Sequence, residues 1–101
     1  MEPRQLSQVV SMEGRITIEN ACALRRALGN ALRLRPPSVT VDITAVTFMD
    51  TSGLATLMEA SRMARQQQSR LILRGVQDQP LHLLKVTNLV HIFELQSDAD
   101  S

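Results

Sequence analysis

The sequence contains no tryptophan and no tyrosine, and its two aromatic residues are Phe48 and Phe93. Proteins that bind single-stranded nucleic acid stack bases on aromatic side chains, so this composition argues against that class. The formal net charge is +1, from 11 basic and 10 acidic residues that are interspersed along the chain. Such a balance gives no electrostatic reason to expect nucleic acid or an anionic membrane as the main partner. Because aromatic residues are so few, the core must be aliphatic.

Cysteine and histidine are also scarce. The single cysteine, Cys22, cannot form an internal disulfide, and it does not combine with His82 and His91 at the spacing of a metal site. We therefore expect no metal ion and no cofactor. The first residues lack the apolar segment of a signal peptide, and no apolar run approaches the roughly 20 residues that span a bilayer. These absences predict a cytoplasmic protein without direct membrane insertion.

The length of 101 residues predicts one domain, 1–101, with a core over about 6–95 and frayed termini. Period-2 alternation predicts strands at 6–11, 15–18, 39–43 with an extension to 48, and 71–73, with a turn at Gly14. Helical spacing predicts a helix from 21 to the proline pair at 36–37, with Asn20 as N-cap, a second from Ser52 or Gly53, and a shorter third capped by Asp78. Residues 89–95 should pack back as a short helix or strand.

Helical periodicity also assigns the two faces of the second helix. The inner face is predicted to hold Leu54, Leu57, Met58, Ser61 and Ala64. The residues predicted to point outward or to flank that face are Thr56, Glu59, Arg62 and Met63. An exposed Met63 beside Ala55, Thr56 and Ala60 would form a flat, adaptable contact surface.

The most informative stretch is Asp-Thr-Ser-Gly-Leu at 50–54, where a strand gives way to this helix. Helix N-termini carry unpaired N–H groups and partial positive charge, so a phosphoryl group on Ser52 would be tolerated there. Thr51 fits the N-cap position better than the acceptor role, and Asp50 could cap the helix or orient the acceptor hydroxyl. Gly53 would give steric clearance for a kinase or partner backbone. This arrangement favours a switch over a reaction.

The residues around Ser52 do not match the motifs of a catalytic serine nucleophile. The hydrolase elbow has a glycine on each side of the serine, and Asp50 occupies the place of the first glycine. A catalytic triad also requires a histidine beside the serine, and no motif brings His82 or His91 to Ser52. The sequence therefore predicts that the protein is not an enzyme.

The stretches Val-Asp-Ile-Thr at 41–44 and Phe-Met-Asp-Thr-Ser-Gly-Leu at 48–54 resemble the central signature of the STAS domain of bacterial anti-sigma factor antagonists. The resemblance covers roughly residues 6–95. It implies an α/β fold of one layer, in which a mixed sheet of four to five strands is covered by three to four helices.

The resemblance further implies partner switching. The unphosphorylated antagonist binds an anti-sigma factor, which releases the sigma factor. The anti-sigma factor is itself a serine kinase that phosphorylates the antagonist, and a PP2C-type phosphatase reverses the modification. Ser52 matches the phosphorylated residue, with Thr51 as the second hydroxyl. The expected partner-binding residues are Asp50, Thr51, Ser52, Gly53, Thr56, Glu59 and Met63.

One departure keeps an alternative open. Many antagonists carry an aspartate where this chain has Thr17, and Glu19 close by could partly substitute for it. Some STAS proteins with a similar signature instead dock constitutively on the ATPase of an ABC transporter that moves phospholipids. In that case the same loop and helix would form a permanent docking face. The apolar rim of the domain could also support a weak homodimer.

Overall fold

The computed structural model describes residues 6–97. The elements in chain order are β1 (Gln8–Ile16), α1 (Ala21–Arg33), β2 (Ser38–Met49), α2 (Thr51–Gln66), β3 (Arg70–Arg74), α3 (Asp78–Val86), a 3-10 turn (Val90–Ile92) and β4 (Glu94–Gln96). The segment 89–95 thus contains both a short helical turn and a strand. Of the termini expected to fray, 1–5 and 96–101, residues 1–5 and 98–101 lie outside the described range, whereas Gln96 is the last residue of β4.

The strands form one sheet in the order β1-β2-β3-β4, and a helix connects each strand to the next. The predicted α/β class, with four strands and three α-helices, is confirmed. The resemblance implied a mixed sheet, whereas the three pairings within residues 6–97 are all parallel. Each helical crossover returns the chain to the same end of the sheet, so neighbouring strands run in the same direction.

The strand β1 corrects one prediction. Two strands separated by a turn at Gly14 were expected, but the chain continues as one strand from Gln8 to Ile16. Its register with β2 shifts between Ser11 and Glu13 and again between Gly14 and Arg15, and Gly14 has a φ of 75°. At each shift β2 advances one residue more than β1, so the β-bulges lie in β2, and Gly14 adopts its positive φ within β1 without reversing the strand.

The core lies between the sheet and helices α1 and α2. Along β2 the buried residues Val39, Val41 and Ile43 alternate with the half-buried Thr40, Asp42 and Thr44. The covered face of the sheet is filled mainly by leucines from α1 and α2, and burying each such side chain contributes about 1.5–3 kcal/mol. The buried residues of the two helices are Leu24, Leu28, Ala31, Leu32, Gly53, Leu54, Thr56, Leu57, Ala60 and Ala64. The prediction of an aliphatic core is confirmed.

Candidate functional site

Asp50 defines the start of helix α2. Its backbone is extended (φ −97°, ψ −176°), and its Oδ1 accepts hydrogen bonds from the backbone N–H groups of Ser52 at 2.9 Å and Gly53 at 3.1 Å. The helix therefore begins at Thr51, earlier than predicted, and Asp50 rather than Thr51 is the N-cap. A carboxylate is the stronger cap here because one oxygen satisfies two helix amides and its charge complements the helix dipole.

Asp50 also joins the helix to a distant loop. Its Oδ2 accepts a bond from the backbone N–H of Ile18 at 3.1 Å, and its own N–H donates to the carbonyl of Ile16 at 3.0 Å. The side chain of Ile18 is 74% exposed beside the start of α2. Ile18 could not be predicted as part of this site, because no local sequence pattern indicates a contact between residues 32 positions apart.

A glutamine on α3 fixes the end of β2, directly before Asp50. The side-chain amide of Gln79 accepts from the backbone N–H of Met49 at 2.8 Å and donates to the carbonyl of Met49 at 3.0 Å. The amide thus satisfies both backbone groups, as a neighbouring strand would. The Asp50 platform, by which we mean Asp50 with the amides of Ile18, Ser52 and Gly53, is therefore held by β1, β2 and α3 together.

Ser52 is the second residue of α2 and is half-buried. Its N–H is engaged by Asp50, and its carbonyl accepts the hydroxyl of Thr56 at 2.9 Å. Within residues 6–97 the hydroxyl of Ser52 itself makes no hydrogen bond. The backbone of this serine is therefore held at both its N–H and its carbonyl, whereas its hydroxyl is not held by any hydrogen bond within the described residues.

A phosphoryl group on Ser52 would not find an empty anion site. Two amides of the first turn, those of Ser52 and Gly53, already bind the carboxylate of Asp50. A phosphate adds about −1.5 to −2 charges at neutral pH. That charge would lie beside an existing carboxylate, so the modification would change the surface mainly by repulsion and by added hydration.

Gly53 serves the interior of the protein. A Cβ atom at this position would lie 2.7 Å from Cγ2 of Ile16 and 2.8 Å from Cγ of Met49. The expectation that Gly53 gives clearance to a partner backbone is therefore wrong, because the side-chain position faces the core. The missing side chain allows the first turn of α2 to sit directly on the ends of β1 and β2.

The predicted outward side of α2 partly faces α1. Thr56 is only 3% exposed, and its hydroxyl is used by the carbonyl of Ser52, so its placement on the partner surface is wrong. Glu59 is half-buried, with Oε1 3.1 Å from Nε of Arg25 on α1. Met63 is 42% exposed, as predicted. The packing of α1 covers this side of the helix, which periodicity within α2 alone cannot show.

The stripe of α2 that does face outward consists of Thr51, Ala55, Met58 and Arg62, at spacings of three and four residues. Met58 was predicted on the inner face and is instead 36% exposed. We define the switch surface as Ile18, Thr51, Ser52 and Ala55. It is small and uncharged, although the carboxylate of Asp50 lies directly behind it.

Other chemistry-bearing side chains lie elsewhere. His82 is exposed on α3 and His91 is exposed in the 3-10 turn, and within residues 6–97 neither histidine bonds to the hydroxyl of Ser52. In the same range no three His, Cys, Asp or Glu side chains are grouped to hold a metal ion. No described helix has both the length and the apolar character to cross a bilayer.

Asp42, in the first signature stretch, has a structural role. Its Oδ1 accepts from the hydroxyl of Thr44 at 2.7 Å and from the N–H of Thr44 at 3.0 Å. These hydrogen bonds hold the pKa of Asp42 below the ordinary carboxyl value, since they stabilise the ionised form. The pair lies on the open face of the sheet, away from the face that α1 and α2 cover.

The sequence of the chain is similar to those of known proteins. A family model described as "Mlab, STAS domain" matches residues 3–96. The anti-sigma-B factor antagonist of Listeria monocytogenes is 37% identical over 57 residues, which are 56% of this chain and 50% of the relative. The anti-sigma-F factor antagonist RsfB of Mycobacterium tuberculosis is 29% identical over 93 residues, covering 90% and 76% of the two chains. The chain spans about half the length of the first of these relatives.

Two solved structures share the fold. A sulfate transporter family protein from Wolinella succinogenes superposes with a TM-score of 0.79 at 18% identity, covering 96% of this chain and 81% of the other. The anti-sigma factor antagonist SpoIIAA in its unphosphorylated form gives a TM-score of 0.72 at 16% identity, with coverages of 94% and 84%. At these identities the likeness concerns the fold alone.

Proposed function

Because this chain belongs to the STAS domain family, we propose that it is an anti-sigma factor antagonist whose binding is controlled by phosphorylation of Ser52. In this function the chain is a binding module and a kinase substrate rather than an enzyme. Both sequence relatives described above are named as antagonists of anti-sigma factors, which favours this function over a constitutive transporter subunit.

The observation that carries the proposal is the state of Ser52. Its backbone is fixed by Asp50 and Thr56, and its hydroxyl makes no hydrogen bond within residues 6–97. A serine that served only as a helix cap would use its hydroxyl on a backbone N–H, a role that Asp50 already fills. The hydroxyl of Ser52 is therefore not used for capping, which supports its assignment as the phosphoacceptor.

The unphosphorylated protein would bind the anti-sigma factor through the switch surface. Ile18, Thr51 and Ala55 present exposed apolar or hydroxyl groups that a partner can cover without burying a charge. Glu59 and Met63 lie farther along α2 on the side of α1, where they could contact the edge of a larger partner. Asp50, Gly53 and Thr56 support the surface from within and do not form its outer layer.

Phosphorylation would close this interface. A phosphate on Ser52 inserts about two negative charges into a surface whose contacts are neutral, and burying them is costly unless cations pair with them. The carboxylate of Asp50 would also repel the phosphate. It lies close to it because it accepts a hydrogen bond from the N–H of Ser52 itself. The anti-sigma factor would act as the kinase, and a phosphatase of the PP2C type would restore the binding form.

The test is a titration of the cognate anti-sigma factor with Ser52→Ala, Ser52→Asp and the wild-type chain. We expect Ser52→Ala to bind as tightly as the unphosphorylated wild type, since a methyl group leaves the surface neutral. We expect Ser52→Asp to bind at least about ten-fold more weakly, a change of about 1.4 kcal/mol.

Ser61→Asp provides the matched control, because Ser61 is a half-buried serine later on the same helix. It should leave the affinity within about two-fold of the wild type if the effect depends on position rather than on charge alone. Equal affinities for Ser52→Ala and Ser52→Asp would reject phosphorylation-controlled binding. Stable association with a membrane transporter ATPase in place of the anti-sigma factor would support the alternative subunit role.

A further inference from the structure

A second concave surface lies at the opposite end of α2 from Ser52. It is a groove of about 440 Å³ between the second half of α2 and the 3-10 turn, lined by Met58, Arg62, Arg65, Gln66 and Ile92. We call it the distal groove. None of its residues belongs to the partner-binding set that the sequence predicted, and the proposed switch does not use it.

The floor of the distal groove is apolar and held in place. Met58 and Ile92 are 36% and 37% exposed, so two large apolar side chains line the groove at the surface. Phe93, which follows the 3-10 turn, is buried, and the N–H of Ile92 donates to the carbonyl of Leu89 at 3.0 Å. These anchors fix Ile92 opposite the helix, while the flexible Met58 can adapt to an inserted side chain.

The rim of the distal groove carries uncompensated positive charge. Arg62 and Arg65 are both exposed, no acidic residue lines the groove, and neither arginine forms an ion pair within residues 6–97. The two acids nearest in the sequence are engaged elsewhere. Glu59 pairs with Arg25, and Glu94 pairs with Arg70, which lowers the pKa of Glu94.

We propose that the distal groove binds an acidic amphipathic helix of a protein partner. An apolar side chain of that helix would lie between Met58 and Ile92, and flanking carboxylates would pair with Arg62 and Arg65. Guanidinium groups bind carboxylates through two parallel hydrogen bonds, and an apolar centre with a charged rim is typical of protein interfaces. An anionic membrane surface fits less well, since such sites use clusters of about 4–8 basic residues.

The groove would serve as an anchor that phosphorylation does not affect. Arg62 follows Ser52 by ten residues, so about 15 Å of helix separates them. This is about twice the screening length of ~8 Å at physiological ionic strength. A phosphate on Ser52 should therefore leave binding at the groove unchanged. The inference rests on the proposed function only in taking the anti-sigma factor as the protein that carries the helix.

The direct test uses a short synthetic helical peptide with leucines on one face and glutamates beside them, titrated into the isotope-labelled protein and followed by NMR. The amides of the groove residues should shift on binding. Arg62→Glu and Arg65→Glu should each weaken binding by about five-fold or more, as expected for lost charge pairs at an interface. Arg26→Glu, at an exposed arginine on α1, is the charge-matched control and should have little effect.

A second pair of variants tests the apolar floor. Met58→Ser should weaken the peptide, whereas Met63→Ser, at the other exposed methionine of α2, should not. All of these positions are exposed, so the variants should fold, and circular dichroism would confirm it. A control peptide with lysines in place of the glutamates should not bind.

Several results would overturn the proposal. They are the absence of peptide binding, an equal loss from Arg26→Glu and Arg62→Glu, self-association through the groove, and binding to phosphatidylglycerol vesicles in preference to the peptide. The peptide should bind Ser52→Asp as tightly as the wild type, and a loss there would overturn the independence of the anchor. Because the peptide experiment does not need the anti-sigma factor, its outcome is separate from the test of the Ser52 switch.

Discussion

Helices α1 and α2 pack on the same sheet and against each other, yet their first turns are built differently. At the start of α1 the side chain of Asn20 bonds no helix amide. It accepts instead from the N–H of Thr17 and donates to the carbonyl of Arg15, so it closes its own loop. At the start of α2 the carboxylate of Asp50 binds two helix amides and the distant N–H of Ile18.

The glycines of the two helices also differ, in the space available for a side chain. A Cβ atom at Gly29 of α1 would meet no other atom within 4 Å, whereas one at Gly53 of α2 would collide with Ile16 and Met49. The first turn of α2 is thus fixed against the strand ends, and α1 has room at its glycine. The serine proposed to be modified therefore lies on the more constrained of the two helices.

The largest expected effect on stability comes from replacing each glycine with alanine. Gly53→Ala should lower the free energy of unfolding by about 1–3 kcal/mol, because the branched side chain of Ile16 cannot move away easily. Gly29→Ala should raise it by up to about 1 kcal/mol, since alanine favours the helix and meets nothing. Urea denaturation of both variants measures the two changes. Changes of the same sign would contradict the difference between the helices.

The caps provide the next test. Asp50→Ala should lower the free energy of unfolding by about 1–2 kcal/mol, the usual cost of losing an N-cap, and should speed hydrogen exchange at the amides of Ile18 and Ser52. Asp50→Asn should restore the cap on Ser52 and Gly53 but not the bond from Ile18, because its Nδ2 cannot accept a hydrogen bond, so only part of the stability should return. Asn20→Ala should leave exchange in the first turn of α1 unchanged, and faster exchange there would show that Asn20 is a cap after all.

The two sides of α2 can be compared through binding. Ala55→Asp introduces a charge on the switch surface and should weaken the anti-sigma factor by about ten-fold, or about 1.4 kcal/mol. Thr56→Val changes the next residue, which is buried, and should cost about 0.5–1.5 kcal/mol of stability with no change in affinity. Both are measured by titration and denaturation. An affinity loss confined to Thr56→Val would restore the original assignment of the faces.

The smallest effect concerns the open face of the sheet. The hydrogen bonds from Thr44 lower the pKa of Asp42 in the folded protein, so the unfolded chain binds the proton more readily. The resulting stability is present above the unfolded pKa and is lost as the pH falls from about 4 through the folded pKa. Asp42→Asn should therefore flatten the acid side of the stability profile. An unchanged profile would contradict this role.

Much of the fold could be predicted from the sequence. The alternation of Val39, Val41 and Ile43 and the helical spacing of the leucines reflect local geometry, and the structure confirms both. The continuation of β1 through Gly14 could not be distinguished from a turn, because a glycine with positive φ occurs in both. No hairpin forms there, and the sheet is parallel because a helix connects each strand to the next.

The candidate site was less predictable, because its decisive contacts are distant in sequence. The hydrogen bonds between Asp50 and Ile18 and between Gln79 and Met49 join residues about 30 positions apart. No local pattern in the sequence predicts them. The prediction that Thr56 lies on the partner surface was wrong, because the packing of another element, here α1, decides which face of a helix is covered. The motif at 50–54 did locate the strand-to-helix junction, and the assignment of Ser52 as phosphoacceptor remains a prediction.

The central claim is that the free hydroxyl of Ser52 accepts a phosphoryl group. The most direct measurement is intact-mass analysis with site mapping, after incubation with ATP and the cognate anti-sigma factor, on the wild type and on Ser52→Ala. We predict the addition of one phosphoryl group, located on Ser52, in the wild type and none in the variant. An unmodified wild type, or a Ser52→Ala chain modified to the same extent, would contradict the account.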